Sequence, residues 1–317
     1  GRALIIHFQG SYHGDSATDW ALAGKSPARG VVKYYPPPIT VPWNDAGALE
    51  SAFVCTHLTP EFGNARCDIA AVVFDAATPP SPEFVEALNT IPHRFGALLI
   101  ADEVVTGFRY HLGGACALWN IKPDLACYGK SLGSGIPIAA LVGKREFMQE
   151  FDLLHTLSPV FMSYTNSGNT LGLAAACETI RVLSGGESYL GFEPELKQVH
   201  RTGLQLKEGF DNLTEVIGVS DVAYSDGWPI RHGFRFRSSD GVTKDELFYL
   251  FQQELVKWRI LINPNNAPTY AHPDAKVHRT WDAIRGALRV IKRAVDQKSV
   301  KGLLEGPVPP PLFQVRT

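Results

Sequence analysis

Two charged residues in this chain stand where a neutral one would cost less, and each closes an apolar run. Ala97-Leu98-Leu99-Ile100-Ala101 leads into Asp102 and Glu103, and Leu125-Ala126-Cys127-Tyr128 leads into Gly129-Lys130-Ser131-Leu132-Gly133-Ser134-Gly135. Apolar runs without alternation read as strands covered on both faces, the kind found inside a parallel sheet. A carboxylate at the end of such a strand costs several kcal/mol of desolvation unless a cation or strong donors meet it. A lone amine among small residues calls for an anion in the same way, and the glycines beside it let a ligand approach the backbone closely. In open α/β sheets ligands bind in the crevice beyond the carboxyl ends of the strands, so Asp102 and Lys130 are the first candidates for chemistry. The plainer readings are an aspartate that caps the next segment and a lysine on a surface loop, and the two runs alone leave these open.

A third candidate is Ser163-Tyr164-Thr165-Asn166-Ser167-Gly168-Asn169-Thr170, hydroxyls and amides gathered ahead of an alanine-rich helix expected over 171–183. Free N–H groups and the helix dipole make such a start an anion site or simply a capped helix. The lysine loop fits neither common phosphate motif. A Walker loop needs glycine five residues before Gly129, where Asp124 stands, and in a GxGxxG starting at Gly133 the sixth position is Ile138.

The elements that must position these residues follow from pattern. Strands are expected over 2–8, 69–74, 97–101, 125–128 and 139–142, with helices over 45–52, 83–89 and 116–119 between them, which implies parallel crossovers. Gly10-Ser11-Tyr12-His13-Gly14 is a turn that presents a ring and an imidazole, and 23–43, rich in glycine and proline, reads as an irregular excursion. After Ser184-Gly185-Gly186 a second domain is expected, giving domains 1–185 and 186–317. It comprises a long amphipathic helix over 195–213, strands over 216–222 and 230–236 with a turn at Ser225-Asp226-Gly227, and a capping box at Thr243-Lys244-Asp245-Glu246. A strand at 260–262, a closing helix over 281–295 and an extended proline-rich tail complete it. The fold class expected is α/β, a mostly parallel central sheet flanked by helices, plus a smaller C-terminal α+β domain.

Composition narrows the function classes. A net charge of −2 gives no electrostatic case for nucleic acid or an anionic membrane, and none of the apolar runs approaches the roughly 18 residues that span a bilayer. With no such run and no signal-peptide pattern in Gly1-Arg2-Ala3-Leu4, a cytoplasmic protein is expected; the five cysteines are odd in number and lack a CxxC pair, which argues against a disulfide framework or a zinc site and for reduced, mostly buried thiols.

Taken together, Asp102-Glu103-Val104-Val105-Thr106-Gly107-Phe108-Arg109, Lys122-Pro123-Asp124-Leu125, Gly129-Lys130, Gly135-Ile136-Pro137-Ile138-Ala139-Ala140 and Thr165-Asn166-Ser167-Gly168-Asn169 resemble the class III pyridoxal-phosphate aminotransferases. The Gly-Phe-Arg ending and the Ser-Gly-Asn after Thr165 point to the glutamate-1-semialdehyde aminomutase-like branch, and Tyr12-His13-Gly14 also matches. The resemblance implies a fold type I enzyme using pyridoxal 5'-phosphate, with Lys130 bonding the cofactor aldehyde and shuttling the proton at the substrate carbon. It also implies Asp102 on the pyridine nitrogen, Val104 and Tyr12 on the two ring faces, and His13 at the cofactor. Thr165 would bind the phosphate across the interface of a homodimer with shared active sites. The reaction implied moves an amino group between a small-molecule amino donor and a keto or aldehyde acceptor; an intramolecular aminomutase, a racemase on the same scaffold and a non-catalytic binding protein are the alternatives. Two departures stand out. Asp75-Ala76 occupies the place of the family's Glu-Pro, and the family's amino-terminal section, with its phosphate turn and substrate-carboxylate contacts, has no counterpart before Gly1.

Overall fold

The computed structural model describes residues 2–14, 38–58, 68–152, 160, 164–184 and 195–309. The chain divides into two compact units between Glu187 and Ser188. In the first, strands β1 (Leu4–Phe8), β2 (Ile39–Val41), β3 (Ile69–Asp75), β4 (Leu98–Asp102), β5 (Leu125–Tyr128) and β6 (Ala140–Gly143) form one sheet in the order β2-β1-β3-β4-β5-β6. All pairings are parallel except β5 with β6. Helices α1 (Ala46–Leu58), α2 (Pro82–Arg94) and α3 (Gly114–Trp119) make the connections.

Each element has a local cause. Asp45 accepts from Ala48 N at 2.8 Å to start α1, and Ser81 accepts from Phe84 N at 3.2 Å to start α2, with Pro82 pre-set for its first turn. α2 then runs past the expected end at Asn89, because Leu88 and Ile91 continue its buried face against the sheet. Phe8, Trp43 and Phe84 pack edge to face with centroids 4.9–5.5 Å apart, which seats α2 on β1. β2 is a correction to the irregular reading of 23–43: Ile39, Thr40 and Val41 are β-branched and pair with β1 as an edge strand. The rest of that excursion, 15–37, lies outside the described residues. Free thiols are found at Cys116, which is buried, at half-buried Cys127 and at exposed Cys177, so the cysteines are not uniformly interior.

The amino ends of β4 and β5 are clamped by one acid. Asp124 is buried; its carboxylate accepts from Leu99 N at 2.7 Å and from Lys144 Nζ at 2.5 Å, with His93 Nε2 at 2.9 Å. Its main chain bonds Leu99 O and Lys144 N, so a single residue joins β4, β5, α2 and the residue after β6. Burial works to raise its pKa, but the Lys144, Leu99 and His93 contacts outweigh it and hold the carboxyl below its usual range. Across the sheet, the His7 imidazole lies 2.7 Å from Thr40 Oγ1, and burial, followed by the charge of His13, pushes it down to about 4.

In the second unit, helices α5 (Glu195–Ile217), α6 (Lys244–Lys257) and α7 (Asp274–Asp296) pack with the antiparallel pair β7 (Ala223–Trp228) and β8 (Arg231–Phe236); the number α4 is kept for Thr170–Leu183 of the first unit. Phe210, Phe234, Phe251, Ile284 and Leu288 form its core. Three expectations fail here. Residues 216–217 finish a helix instead of opening a strand, because Phe210, Leu213 and Ile217 keep one face on the core until Gly218, at φ +76°, stops it. Ser225-Asp226-Gly227 is strand, not turn: Asp211 on α5 takes the Ser225 N–H at 2.7 Å and its hydroxyl at 2.5 Å, and the chain reverses at Pro229-Ile230. Residues 260–262 form no strand, since Ile260 N bonds Leu255 O at the end of α6 and Ile262 O accepts from Gln252. The capping box at Thr243 is present with both reciprocal bonds. The tail beyond 309 lies outside the described residues. No helix among the described residues is long and apolar enough to cross a membrane.

Two outcomes follow for stability. Asp124→Asn should cost about 2–4 kcal/mol in urea unfolding at pH 7, because the buried Leu99 N–H and the partly exposed Lys144 and His93 side chains lose a buried charged acceptor, whereas Lys144→Met, which removes a half-exposed ammonium, should cost under about 1 kcal/mol. His7 binds its proton more weakly folded than unfolded, so it contributes stability above pH 6.5 that is lost as pH falls toward 4. His7→Gln should therefore show a smaller drop in urea midpoint than wild type between pH 7 and pH 5; equal drops would exclude His7 as the source.

Candidate active site

The carboxyl ends of β3, β4 and β5 form one edge. Asp75 is the register partner of Asp102, and Asp102 of Cys127, so the two acids and the residues just before the lysine loop end in line. At the end of β1, Gly10 adopts φ +82° and Ser11 N bonds Phe8 O at 3.0 Å, which turns Tyr12 and His13 over the same edge. His13 Nδ1 lies 2.8 Å from Asp102 Oδ2, and Val104 N donates to Asp102 Oδ1 at 3.0 Å. The partner that a strand-end acid requires is thus an imidazole, brought from 89 residues away. The His13 side chain is only 4% accessible and that of Asp102 15%, and His13 Nε2 is buried without a hydrogen-bond partner among the described residues. Asp75 accepts weakly from Tyr12 N at 3.3 Å and Ala77 N at 3.3 Å, so it props the turn while the Tyr12 ring stays half exposed.

Lys130 is exposed and follows β5 by two residues, opening the 3-10 turn Lys130–Gly133. Its backbone sits at φ +43°, a region that costs a non-glycine residue on the order of 1 kcal/mol or more and is found where surrounding structure over-determines the chain. Val104 packs on the residue before it: a Cβ added to Gly129 would meet Val104 Cγ1 at 3.4 Å. From the other side α4 (Thr170–Leu183) supports the loop, with Thr179 Oγ1 bonding Ser134 Oγ at 3.1 Å and Gly172 close against Pro137 O. Asn169 caps α4 by accepting from Gly172 N at 3.1 Å. Thr165 belongs to the exposed turn just before this cap, closed by Ser167 N on Tyr164 O at 2.9 Å. That turn and Pro137, Ile138 and Ala139 border a cavity of about 330 Å³ lined by amides, a hydroxyl and apolar groups.

The structure therefore brings His13, Asp102 and Val104 into contact, sets Lys130 on the adjoining strand end, and puts Thr165 on a separate exposed turn. Sequence reasoning left Asp75 and Glu103 without roles. Asp75 supports Tyr12, and Glu103 turns away from Asp102 into the interior. The second could have been anticipated, because successive side chains of an extended segment point to opposite faces.

Comparison with known proteins places this geometry. The sequence model described as aminotransferase class-III matches residues 1–223. The glutamate-1-semialdehyde 2,1-aminomutase of Aquifex aeolicus is 29% identical over 91% of this chain and 69% of its own. Glutamate-1-semialdehyde 2,1-aminomutase 2 of Geobacillus thermodenitrificans is 33% identical over 92% of this chain and 68% of its own. Among solved structures, a transaminase with PLP bound superposes with a TM-score of 0.78 at 20% identity, covering 93% of this chain and 69% of its own, a likeness of fold. With the matched residues spanning the whole of the sheet and both strand-end groups, the chain belongs to the class-III aminotransferase family.

Proposed function

We propose that the edge formed by β3, β4 and β5 holds pyridoxal phosphate, and that Asp102 and Lys130 act on it and on the substrate. The observation that carries this reading is an ordered carboxylate at the end of β4, held by His13 and by Val104 N, beside the strand end that presents Lys130. The donor set fits the group: an anion for a ring nitrogen and a primary amine for an aldehyde. When bound, the cofactor supplies a sink for the electron pair left at the substrate carbon.

The chain's own groups then have definite work. Asp102 keeps a proton on the ring nitrogen through its charge, and His13 fixes which carboxylate oxygen faces forward. Val104 and the half-exposed Tyr12 flank the ring. Lys130 would hold the cofactor aldehyde at rest and, as a free amine, would take up the proton from the substrate carbon and give it back. Thr165 contributes its hydroxyl to the phosphate of the other subunit's site in a homodimer. Support for such an assembly comes from α4 and the turn before it, which leave Tyr164, Leu171, Leu173 and Ile180 exposed. A cytoplasmic setting suits the free thiols at Cys116, Cys127 and Cys177.

The reaction read from this site is transfer of an amino group from a small amino donor to a keto or aldehyde acceptor. The names of the two relatives favour one second reading, the intramolecular aminomutase, which uses the same groups but keeps its intermediate bound. A racemase on this scaffold would return the proton to the opposite face of the same carbon.

A panel of α-, β- and ω-amino donors with a keto acceptor should give amino exchange. Conversion of glutamate-1-semialdehyde without any donor would establish the mutase instead, and solvent deuterium at Cα without keto product the racemase. Incubated with pyridoxal phosphate, the chain should develop a yellow absorption band that Lys130→Ala lacks; identical spectra would overturn the assignment of Lys130. Shared sites predict complementation. Lys130→Ala and Thr165→Asp, each nearly inactive, should recover about a quarter of wild-type activity when refolded together, because half of the dimers are mixed and each of these has one intact site. No recovery would place Thr165 with the lysine of its own subunit.

A further inference from the structure

Glu103 is nearly absent from the surface, at 1% exposure, and stands one residue beyond the end of β4. Its Oε1 accepts from Cys116 N at 2.7 Å and its Oε2 from Ala115 N at 2.9 Å, and the Thr106 hydroxyl also donates to Oε2. Its main chain is fixed as well, with Glu103 N on Cys127 O at 2.9 Å and Gly107 N on Glu103 O at 2.8 Å. Two glycines make room for it. A Cβ at Gly114, which has φ +75°, would lie 2.3 Å from Glu103 Oε2, and one at Gly107 would lie 2.8 Å from Glu103 O. The carboxylate therefore closes the loop from Val104 to Gly113 by tying its first residues to the start of α3. Its negative charge is felt nearby: burial, and then Glu103, push the Tyr128 hydroxyl up to about 12.

We propose that Glu103 is a positioning residue. Its buried carboxylate fixes the backbone between β4 and α3, and so holds Asp102 and Val104 where they receive the cofactor ring, without touching cofactor or substrate. Asp102 and Glu103 divide the labour of adjacent positions: one faces His13 at the open edge, and the other faces the interior and prevents the first from turning. Val104 N bonds Asp102 Oδ1 at 3.0 Å, so any shift of residue 104 moves that carboxylate too. This inference rests on the reading of Asp102 and Val104 given above.

Glu103→Gln is the decisive change. Both oxygens are occupied by donors, and an amide offers only one oxygen, so its NH2 must face the N–H of either Cys116 or Ala115. The full chain, freed of cofactor, should bind pyridoxal phosphate about tenfold more weakly as Glu103→Gln, measured by fluorescence titration below the melting temperature of both proteins. The pH midpoint of the visible band of the bound cofactor should also shift. Thr106→Val, which removes one donor and leaves the charge, should weaken binding by about threefold with a smaller shift in midpoint, and it decides the matter if Glu103→Gln does not fold. A lower melting temperature with unchanged cofactor affinity and unchanged midpoint would mean a purely structural role and overturn the proposal. Asp102→Asn separates this failure from failure of the site itself: if that variant also leaves affinity and midpoint unchanged, the cofactor reading of Asp102 falls, whereas a silent Glu103→Gln beside a responsive Asp102→Asn removes the positioning role alone.

Discussion

A carboxylate at the end of a covered strand must be met by donors, and the arrangement of the first unit follows from how Asp102 is met. Its two oxygens are engaged by His13 from the turn after β1 and by the N–H of Val104. The first contact spans most of the sheet in sequence and needs β1, β3 and β4 to lie parallel in the observed order. Were β1 to run opposite to β4, the imidazole would lie at the other edge of the sheet. The requirement to satisfy one partly buried acid thus links sheet topology to the chemistry of its edge.

The two ends of the strands are handled differently. At the amino ends Asp124 gathers a lysine, a histidine and a backbone N–H, and nothing there is left for a ligand. At the carboxyl ends the acids are held through one face only: Asp75 by two long contacts, Asp102 by an imidazole and an amide, with Lys130 exposed beside them. Saturated polar networks rigidify, whereas a partly open edge keeps capacity for a bound group. The positive φ of Lys130 and the close backbone approach at Gly172 belong to the same edge, where local cost is borne by the packing of α4 behind the loop.

Membership in the class-III aminotransferase family explains why these groups occur together but leaves the reaction partner open. On the proposed reading of the site, transfer and intramolecular rearrangement would make the same demands on Asp102 and Lys130: a carboxylate for a protonated ring nitrogen and an amine that moves one proton at carbon. What separates them is whether an intermediate stays bound.

The sequence by itself determined the elements whose signals are local. The runs ending at Asp75, Asp102 and Tyr128 are strands because continuous apolar residues can be covered on both faces, and Thr243 starts α6 because its capping partners lie within three residues. The motifs around Asp102, Lys130 and Thr165 carried the resemblance to the family. Only the tertiary structure decided the contacts between distant residues. That His13 rather than a lysine or arginine meets Asp102, that Asp211 draws Ser225 into a strand, and that Glu103 faces the start of α3 all depend on which elements the topology brings together. Local pattern says that a buried polar group must have a partner, because leaving it bare costs too much; which group that is depends on three-dimensional proximity, which no window of neighbouring residues contains.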